Sequence, residues 1–387
     1  MSEADDTGAV ASGRGRPGTL RQVLRRASPA AVFSVIYFGV LVYPLMRMLF
    51  LCFPGWRPDT PILLLIMVGP LAGRLSYEWL PGPATRWLSA VSLTWLGVCF
   101  IAFTLVAPWE VANLLLALDP QSSGWALLSA TGALTAYGLM NAQRLTVHQV
   151  DIPAPADLQG LRLAQISDVH VGSRSGRFLT RVVHRLNAQN PDHVLITGDL
   201  VDFRNIQQKE LAALGEITAP AFFIIGNHER YVDVDDICRR LENLGITVLR
   251  NQSLEVGRIQ LVGIDDAEAK TQVGKMLPFF EPLADHFRIL LYHRPDGAAD
   301  AADWGADLML CGHTHNGQIV PFNHLVRRVF PRICGLYQVG DMHLYVSPGT
   351  GTWGPILRLG SRCEISMIHL TQKTQNQLTQ AAAGDDL

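Results

Sequence analysis

Before position 148 the chain has no histidine; all twelve lie at or after His148. The same first half is apolar and poor in acids, so a catalytic half and a different half are expected. The 387 residues are enough for more than one domain. Six cysteines are widely scattered with no CxxC and no short-spaced pair. That excludes a disulfide framework and a cysteine zinc site, and it favours a reducing compartment. The net charge of −2 gives no case for non-specific nucleic-acid binding. No GxxxxGK[ST] run occurs, so nucleotide hydrolysis by a phosphate-binding loop is unsupported.

Long apolar runs fill the first half instead. Residues 30–53 are apolar except for Arg47, and 61–77, 87–108 and about 123–142 repeat the pattern. A helix needs roughly 20 apolar residues to cross the hydrocarbon core, so about four transmembrane helices are expected. The second run is the weakest, being short and holding Arg74 and Pro70. Arg14, Arg16, Arg21, Arg25 and Arg26 precede the first run, Arg74 and Arg86 flank the second loop, and Arg144 follows the fourth. The loop between the third and fourth runs carries Glu110 and Asp119 and no basic residue. The positive-inside rule then places both termini, and with them the catalytic half, in the cytoplasm of an integral membrane protein. A cleaved signal peptide is disfavoured, because the first apolar run is too long.

From about Gly160 short β-rich runs alternate with amphipathic stretches. LRLAQIS, HVLIT, AFFII, RIQLVGI, FRILLY and DLMLC read as strands, and 177–189, 206–217, 233–244 and 297–304 as helices. That alternation predicts an α/β fold with helices on the faces of a layered sheet. EISMIHL at 364–370 is expected to complete the second sheet. The expected organisation is a disordered basic segment 1–28, a helical membrane region 29–145, a catalytic domain 150–370 and a flexible tail 371–387.

Five polar motifs fall at the ends of the strand-like runs: Asp168-Val-His170, Gly198-Asp199-Leu-Val-Asp202, Gly226-Asn227-His228-Glu229, His293, and Gly312-His313-Thr-His315. Ends of parallel strands open on one sheet edge, so five such sites can converge on one pocket. Their O and N donors suit Mn, Fe, Zn or Mg and need no thiolate. Asp168 and His170, on an extended or loop segment, are expected to point the same way by period-two alternation. Gly198 allows a sharp exit from its strand, while Asp202 reads equally as a helix cap.

In this order the motifs resemble the calcineurin-like metallophosphoesterase pattern DxH, GDxxD, GNH[ED], H and GHxH across residues 160–370. The stretches CGHTHNGQIVPF and VSPGTGTWGPILRLGSRCEI resemble its bacterial membrane-associated branch of phosphodiesterases and pyrophosphatases. The resemblance implies a four-layer αββα sandwich and two divalent metal ions. One would be held by Asp168, His170, Asp199 and His315, the other by Asp199, Asn227, His293 and His313, with Asp199 bridging. His228 would donate to the scissile phosphate or protonate the leaving group, and Glu229 or Asp202 would orient an imidazole. Two metals about 3.5–4 Å apart bring a bridging water towards a pKa of about 7, and the resulting hydroxide attacks phosphorus in line.

GDLVDFR departs from the GDxVDRG of protein phosphatases, which disfavours a phosphoprotein substrate. Membrane attachment points to a phosphodiester or pyrophosphate of a lipid or lipid-linked partner. A soluble phosphodiester with the membrane half as an anchor, or a non-catalytic metal-binding scaffold, are the alternatives. Arg174, Arg177 and Arg181 read either as a phosphate or headgroup contact or as a solvated helix face. Trp353 reads as an entrance residue or a packing residue, Cys311 as a buried strand residue, and Asn316 and Gln318 as hydrogen-bonding neighbours of the site.

Overall fold

A computed structural model describes residues 29–372 of the chain. The segment 1–28 and the tail beyond 372, expected to be disordered, lie outside the described residues. Thr371, counted above with the tail, is the last residue of a strand.

The apolar runs fold as helices. Helix α1 (Pro29–Ile36) continues through a π-helical turn (Tyr37–Val42) into α2 (Tyr43–Cys52), followed by α3 (Thr60–Trp79), α4 (Pro83–Leu116) and α5 (Pro120–Asn141). Proline in the first turn starts α3, α4 and α5, where its missing N–H costs no hydrogen bond, whereas Pro44 follows the π-helical turn within a continuous helical stretch. Asp119 caps α5 by accepting the Ser122 amide at 2.8 Å. Among the described residues three helical stretches are long and apolar enough to cross a membrane: Phe33–Cys52, Thr60–Trp79 and Pro83–Leu116. The fourth expected span is a helix of 22 residues but a less apolar one. Helix α4 runs 34 residues, past Pro108, where the third span was expected to end. The two charges embedded in apolar runs are paired: Arg47 with Glu110 at 2.6 Å and Arg74 with Glu78 at 2.8 Å.

Among the described residues the second half contains twelve strands in two sheets. They are β1 (Leu145–Pro153), β2 (Arg162–Ile166), β3 (His193–Ile196), β4 (Ala221–Phe223), β5 (Ile246–Val248), β6 (Gln252–Val256), β7 (Ile259–Ile264), β8 (Phe287–Tyr292), β9 (Leu308–Cys311), β10 (Gly335–Val339), β11 (Met342–Val346) and β12 (Cys363–Thr371). One sheet has the order β1-β12-β2-β3-β4-β5, the other β10-β11-β9-β8-β7-β6. EISMIHL is therefore not in the second sheet. As β12 it lies in the first, parallel to β1 and antiparallel to β2. The reason is a long-range partner, Leu145–Pro153, which was not read as a strand.

Between the strands lie α6 (Gly176–Asn187), α7 (Gln208–Leu211), α8 (Val234–Glu242), α9 (Gln272–Met276), α10 (Ala298–Trp304) and α11 (Phe322–Val329). Ser175 caps α6 and Asp233 caps α8. The helix expected over 206–217 is a single turn, α7, continued as a 3-10 segment, Ala212–Glu216.

Alternation sorts the strand side chains into three cores. Ala164, Ile166, Val194, Ile196 and Phe223 pack with Phe178, Val182 and Leu186 of α6 and Ile237 of α8. Their neighbours Leu163, Leu195 and Phe222 meet Leu261, Ile289, Leu291 and Leu310 between the sheets. The outer face of the second sheet, including Val262, Leu290 and Met309, packs on Val273 of α9 and Ala301 of α10. This is the four-layer αββα sandwich. The helical half docks on it through Ile101, Ile319 and Leu357, buried together. Burying a side chain of this size contributes about 1.5–3 kcal/mol.

Candidate functional site

Strands β2, β3 and β4 are parallel neighbours, as are β8 and β9. All five expected motifs follow their C-terminal ends, so the seven donor residues converge. Three groups of side chains place their ligand atoms within 4.8 Å of one another: Asp168, His170 and His315; His170, Asp199 and His228; and Asp199, His293 and His313. Asn227 supplies a buried Oδ1 with no hydrogen-bond partner.

The backbone enters this site under strain. Asp168, His170, Asp199, His313 and His315 all have φ between 50° and 72°. Non-glycine residues rarely adopt this left-handed region, and outliers of this kind gather at functional sites. Of the extended or loop settings open to Asp168 and His170, the loop is the one they occupy, with left-handed backbone to which period-two alternation does not apply. Two glycines permit the approach: a Cβ on Gly226 would lie 2.3 Å from Asp199 Oδ1, and one on Gly312 would lie 2.2 Å from Asp168 Oδ2.

Hydrogen bonds fix the imidazoles. His293 Nδ1 faces the Thr197 carbonyl at 2.8 Å, which turns Nε2 towards Asp199 Oδ2 at 3.0 Å. That Nε2 is buried and lies outside hydrogen-bonding geometry. A neutral ring donating through Nδ1 would set two lone pairs against each other, so the position calls for a cation or a proton. Burial lowers the His293 pKa, but the Asp199 charge outweighs it and pushes the ring up to about 10. Nearby, His170 Nε2 and His315 Nε2 stand 3.0 Å apart, with Asp168 Oδ1 3.3 Å from the latter. Burial and the positive charge of His293 push His313 down to about 3. Burial and His170 likewise hold His315 well below the usual range. Both stay neutral, the form that binds metal. The orphaned Asn227 oxygen, the facing acceptors and the mixed O/N set fit two divalent cations.

Asp202 is not a helix cap. Its Oδ1 lies 2.5 Å from His170 Nδ1 and 2.8 Å from His228 Nδ1, so one carboxylate orients two imidazoles. His228 therefore directs Nε2 inwards, 3.9 Å from Asp199 Oδ2, with 17% of its side chain exposed. Burial lowers its pKa, yet Asp202 and Asp199 outweigh this and raise it to about 9. Glu229 orients no imidazole. Its buried carboxylate accepts the amides of Asp199, Leu200, Val201 and Gly226 at 2.7–3.1 Å, which ties the GDLVD loop to the GNHE loop.

Arg358 was not singled out from the sequence. It is fully buried and donates to the carbonyls of His315 (2.9 Å), Gly351 (2.7 Å) and Gly349 (3.2 Å). The only signal was a lone arginine inside the apolar stretch GPILRLG. Gln318 clamps the same loop by bonding the Trp353 amide and carbonyl. Trp353 is 53% exposed, its ring centroid 6.4 Å from that of His228 in an edge-on arrangement, at the rim. Cys311 is buried in β9 as expected.

A family model described as calcineurin-like phosphoesterase matches residues 161–317. The chain is 36% identical over 325 residues to a transmembrane protein with metallophosphoesterase domain of Danio rerio, covering 74% of each chain. It is 35% identical over 270 residues to a Bos taurus protein of the same name, covering 62% of this chain and 60% of that one. An uncharacterized metallophosphoesterase of Campylobacter jejuni is 34% identical over 240 residues, with 59% and 63% covered.

Proposed function

Because the chain belongs to the calcineurin-like metallophosphoesterases, we propose that it hydrolyses a phosphodiester or pyrophosphate bond of a membrane lipid or lipid-linked substrate. The observation that carries the reaction class is the convergence of carboxylate, amide and imidazole donors around Asp199. Asp168, His170, Asp199 and His315 would hold one divalent ion; Asp199, Asn227, His293 and His313 would hold the second. Such a pair supplies Lewis acidity at a phosphoryl oxygen and a nucleophilic water at neutral pH.

The chain's own residues do the rest. His228, fixed through Nδ1 by Asp202, holds a proton at Nε2 and faces the site. It donates to a phosphoryl oxygen as charge builds there, or to the departing oxygen. Glu229 holds the Asp199 loop so that this carboxylate reaches both groups of donors.

The lipid reading rests on the rim. Helix α11 exposes Phe322, Leu325 and Val329 on one side, an apolar stripe at i, i+3 and i+7. Phe322 sits edge-on to Phe100 of α4 at 6.0 Å, so this stripe continues the apolar surface of the helical half. Phe330, which follows α11, packs on His313 at 5.1 Å. An apolar surface running from the membrane helices to the site fits a substrate that arrives from the bilayer. We place the α/β half in the cytoplasm from the arginine distribution.

The test is hydrolysis by the full chain in lipid, metal-stripped and then given Mn, Zn, Fe or Mg. Metal-restored turnover of a chromogenic phosphodiester that vanishes in Asp199→Asn supports the hydrolase. A folded, metal-loaded chain with no turnover on soluble or lipid phosphoesters would leave a scaffold. Equal rates on soluble substrate with and without lipid would favour a simple anchor.

A further inference from the structure

A second cavity, of about 620 Å³, opens where the turn between α3 and α4 meets the α/β half. None of the seven donor residues lines it. Five cations do: Arg86, Arg174, Arg177, Arg181 and Lys209. Glu210 is the one carboxylate among its described lining residues, and it is already engaged, by Arg86 at 3.0 Å and the Gly176 amide at 2.7 Å.

Among the described residues Arg174 and Arg181 meet no carboxylate. Arg174 and Arg181 converge on the same neutral acceptor, Gln143 Oε1, at 3.3 and 2.9 Å. Both lie over the Phe178 ring, at 3.7 and 5.3 Å. Arg174 is 2% exposed, so it is not the solvated helix face the sequence allowed, and its Nε and Nη1 have no partner. Burial pushes its pKa down to about 10, which still leaves it charged at neutral pH. A buried guanidinium without a carboxylate, as at Arg174, is costly unless an anion joins it, and its fork geometry, with that of the exposed Arg181 beside it, matches phosphate oxygens.

The surroundings select the source of that phosphate. Trp87 lines the cavity, Trp79 and Leu80 immediately precede its lining residue Pro81, and all three are more than two-thirds exposed. Exposed tryptophans at the ends of apolar helices mark the headgroup level of a bilayer. We infer that this cavity binds the phosphate of an anionic phospholipid headgroup, at a site separate from the metal-binding cluster. The inference rests on the membrane reading above, but not on hydrolysis.

The experiment is native mass spectrometry of the full chain released from detergent. It is titrated with phosphatidylglycerol or with phosphatidylcholine of the same acyl chains. The wild type should retain phosphatidylglycerol preferentially. The exposed-residue triple variant Arg177→Gln, Arg181→Gln, Lys209→Gln should lower that affinity about 100-fold and leave phosphatidylcholine unchanged. Turnover of a soluble chromogenic phosphodiester should stay at the wild-type level in the variant. Equal retention of both lipids, or binding of inorganic phosphate without any lipid preference, overturns the headgroup site. Loss of turnover in the variant with lipid preference intact would move the arginines to the substrate path and overturn a separate site. Release of the chain by alkaline carbonate overturns the membrane reading itself and is scored independently.

Discussion

Arg358 donates to the backbone carbonyl of His315 at 2.9 Å while its own backbone is held by α5. Its amide donates to the Gly138 carbonyl at 3.1 Å, and Asn141 Nδ2 donates to its carbonyl at 3.0 Å. The last helix of the apolar half thus grips the residue that seats one of the site imidazoles. Replacing Arg358 by Met removes a charged donor from three buried carbonyls, which keep only the amides of Gln318 and Glu364 and the thiol of Cys363, and a hydrogen bond to a charged group is worth about 1.5–3 kcal/mol. The expected outcome is a lower melting temperature together with reduced metal content by elemental analysis. Lysine should not rescue, because its single ammonium cannot span three acceptors. Full metal content in Arg358→Met would refute the link.

Asp202 serves His170 and His228 at once. Asp202→Asn should lower activity about 10–100-fold, as loss of a partner behind a metal-binding imidazole does. Saturating metal should restore occupancy but not the rate, since His228 also loses its partner. Recovery of the rate at high metal would confine Asp202 to His170.

Glu229 accepts four backbone amides and meets no cation. Glu229→Ala would strand those donors, so several kcal/mol of stability at about 1–3 kcal/mol per group should be lost, read as an earlier urea midpoint. Glu229→Gln keeps one acceptor oxygen and should fall between the two. A midpoint unchanged in the alanine variant would contradict this role.

The metal-stripped chain should show a pH-dependent stability. His228 has its pKa raised to about 9 in the fold, against about 6.5 unfolded. Its contribution is fully present below about pH 6.5 and is lost as pH rises through about 9. Melting temperature of the stripped protein should therefore fall across that window, and His228→Gln should flatten the fall. A slope unaltered by the substitution would assign it to other groups.

The proposed lipid substrate is tested at the stripe on α11. Phe322→Ser with Leu325→Ser should reduce hydrolysis of a lipid phosphodiester in vesicles and spare a soluble chromogenic one. Equal loss on both would place α11 in the fold alone.

By itself the sequence identified the metallophosphoesterase family, the candidate donor residues and the apolar half. Those depend on residue type and short-range spacing: GDLVD, GNHE and GHTH carry their candidate ligands locally, and 20-residue apolar runs have few alternatives to a helix. The strands preceding each motif were legible for the same reason, because alternation is a local property. Tertiary structure decided what depends on partners far along the chain. The place of β12 follows from Leu145–Pro153, more than 200 residues earlier. Which carboxylate orients the imidazoles was open between Asp202 and Glu229 until the loops met. The left-handed backbone at Asp168, His170 and Asp199, the burial of Arg358 and the uncompensated arginines beside α6 left little mark in composition. Strain and buried charge persist only where the surrounding packing enforces them, and that packing is a property of the whole fold.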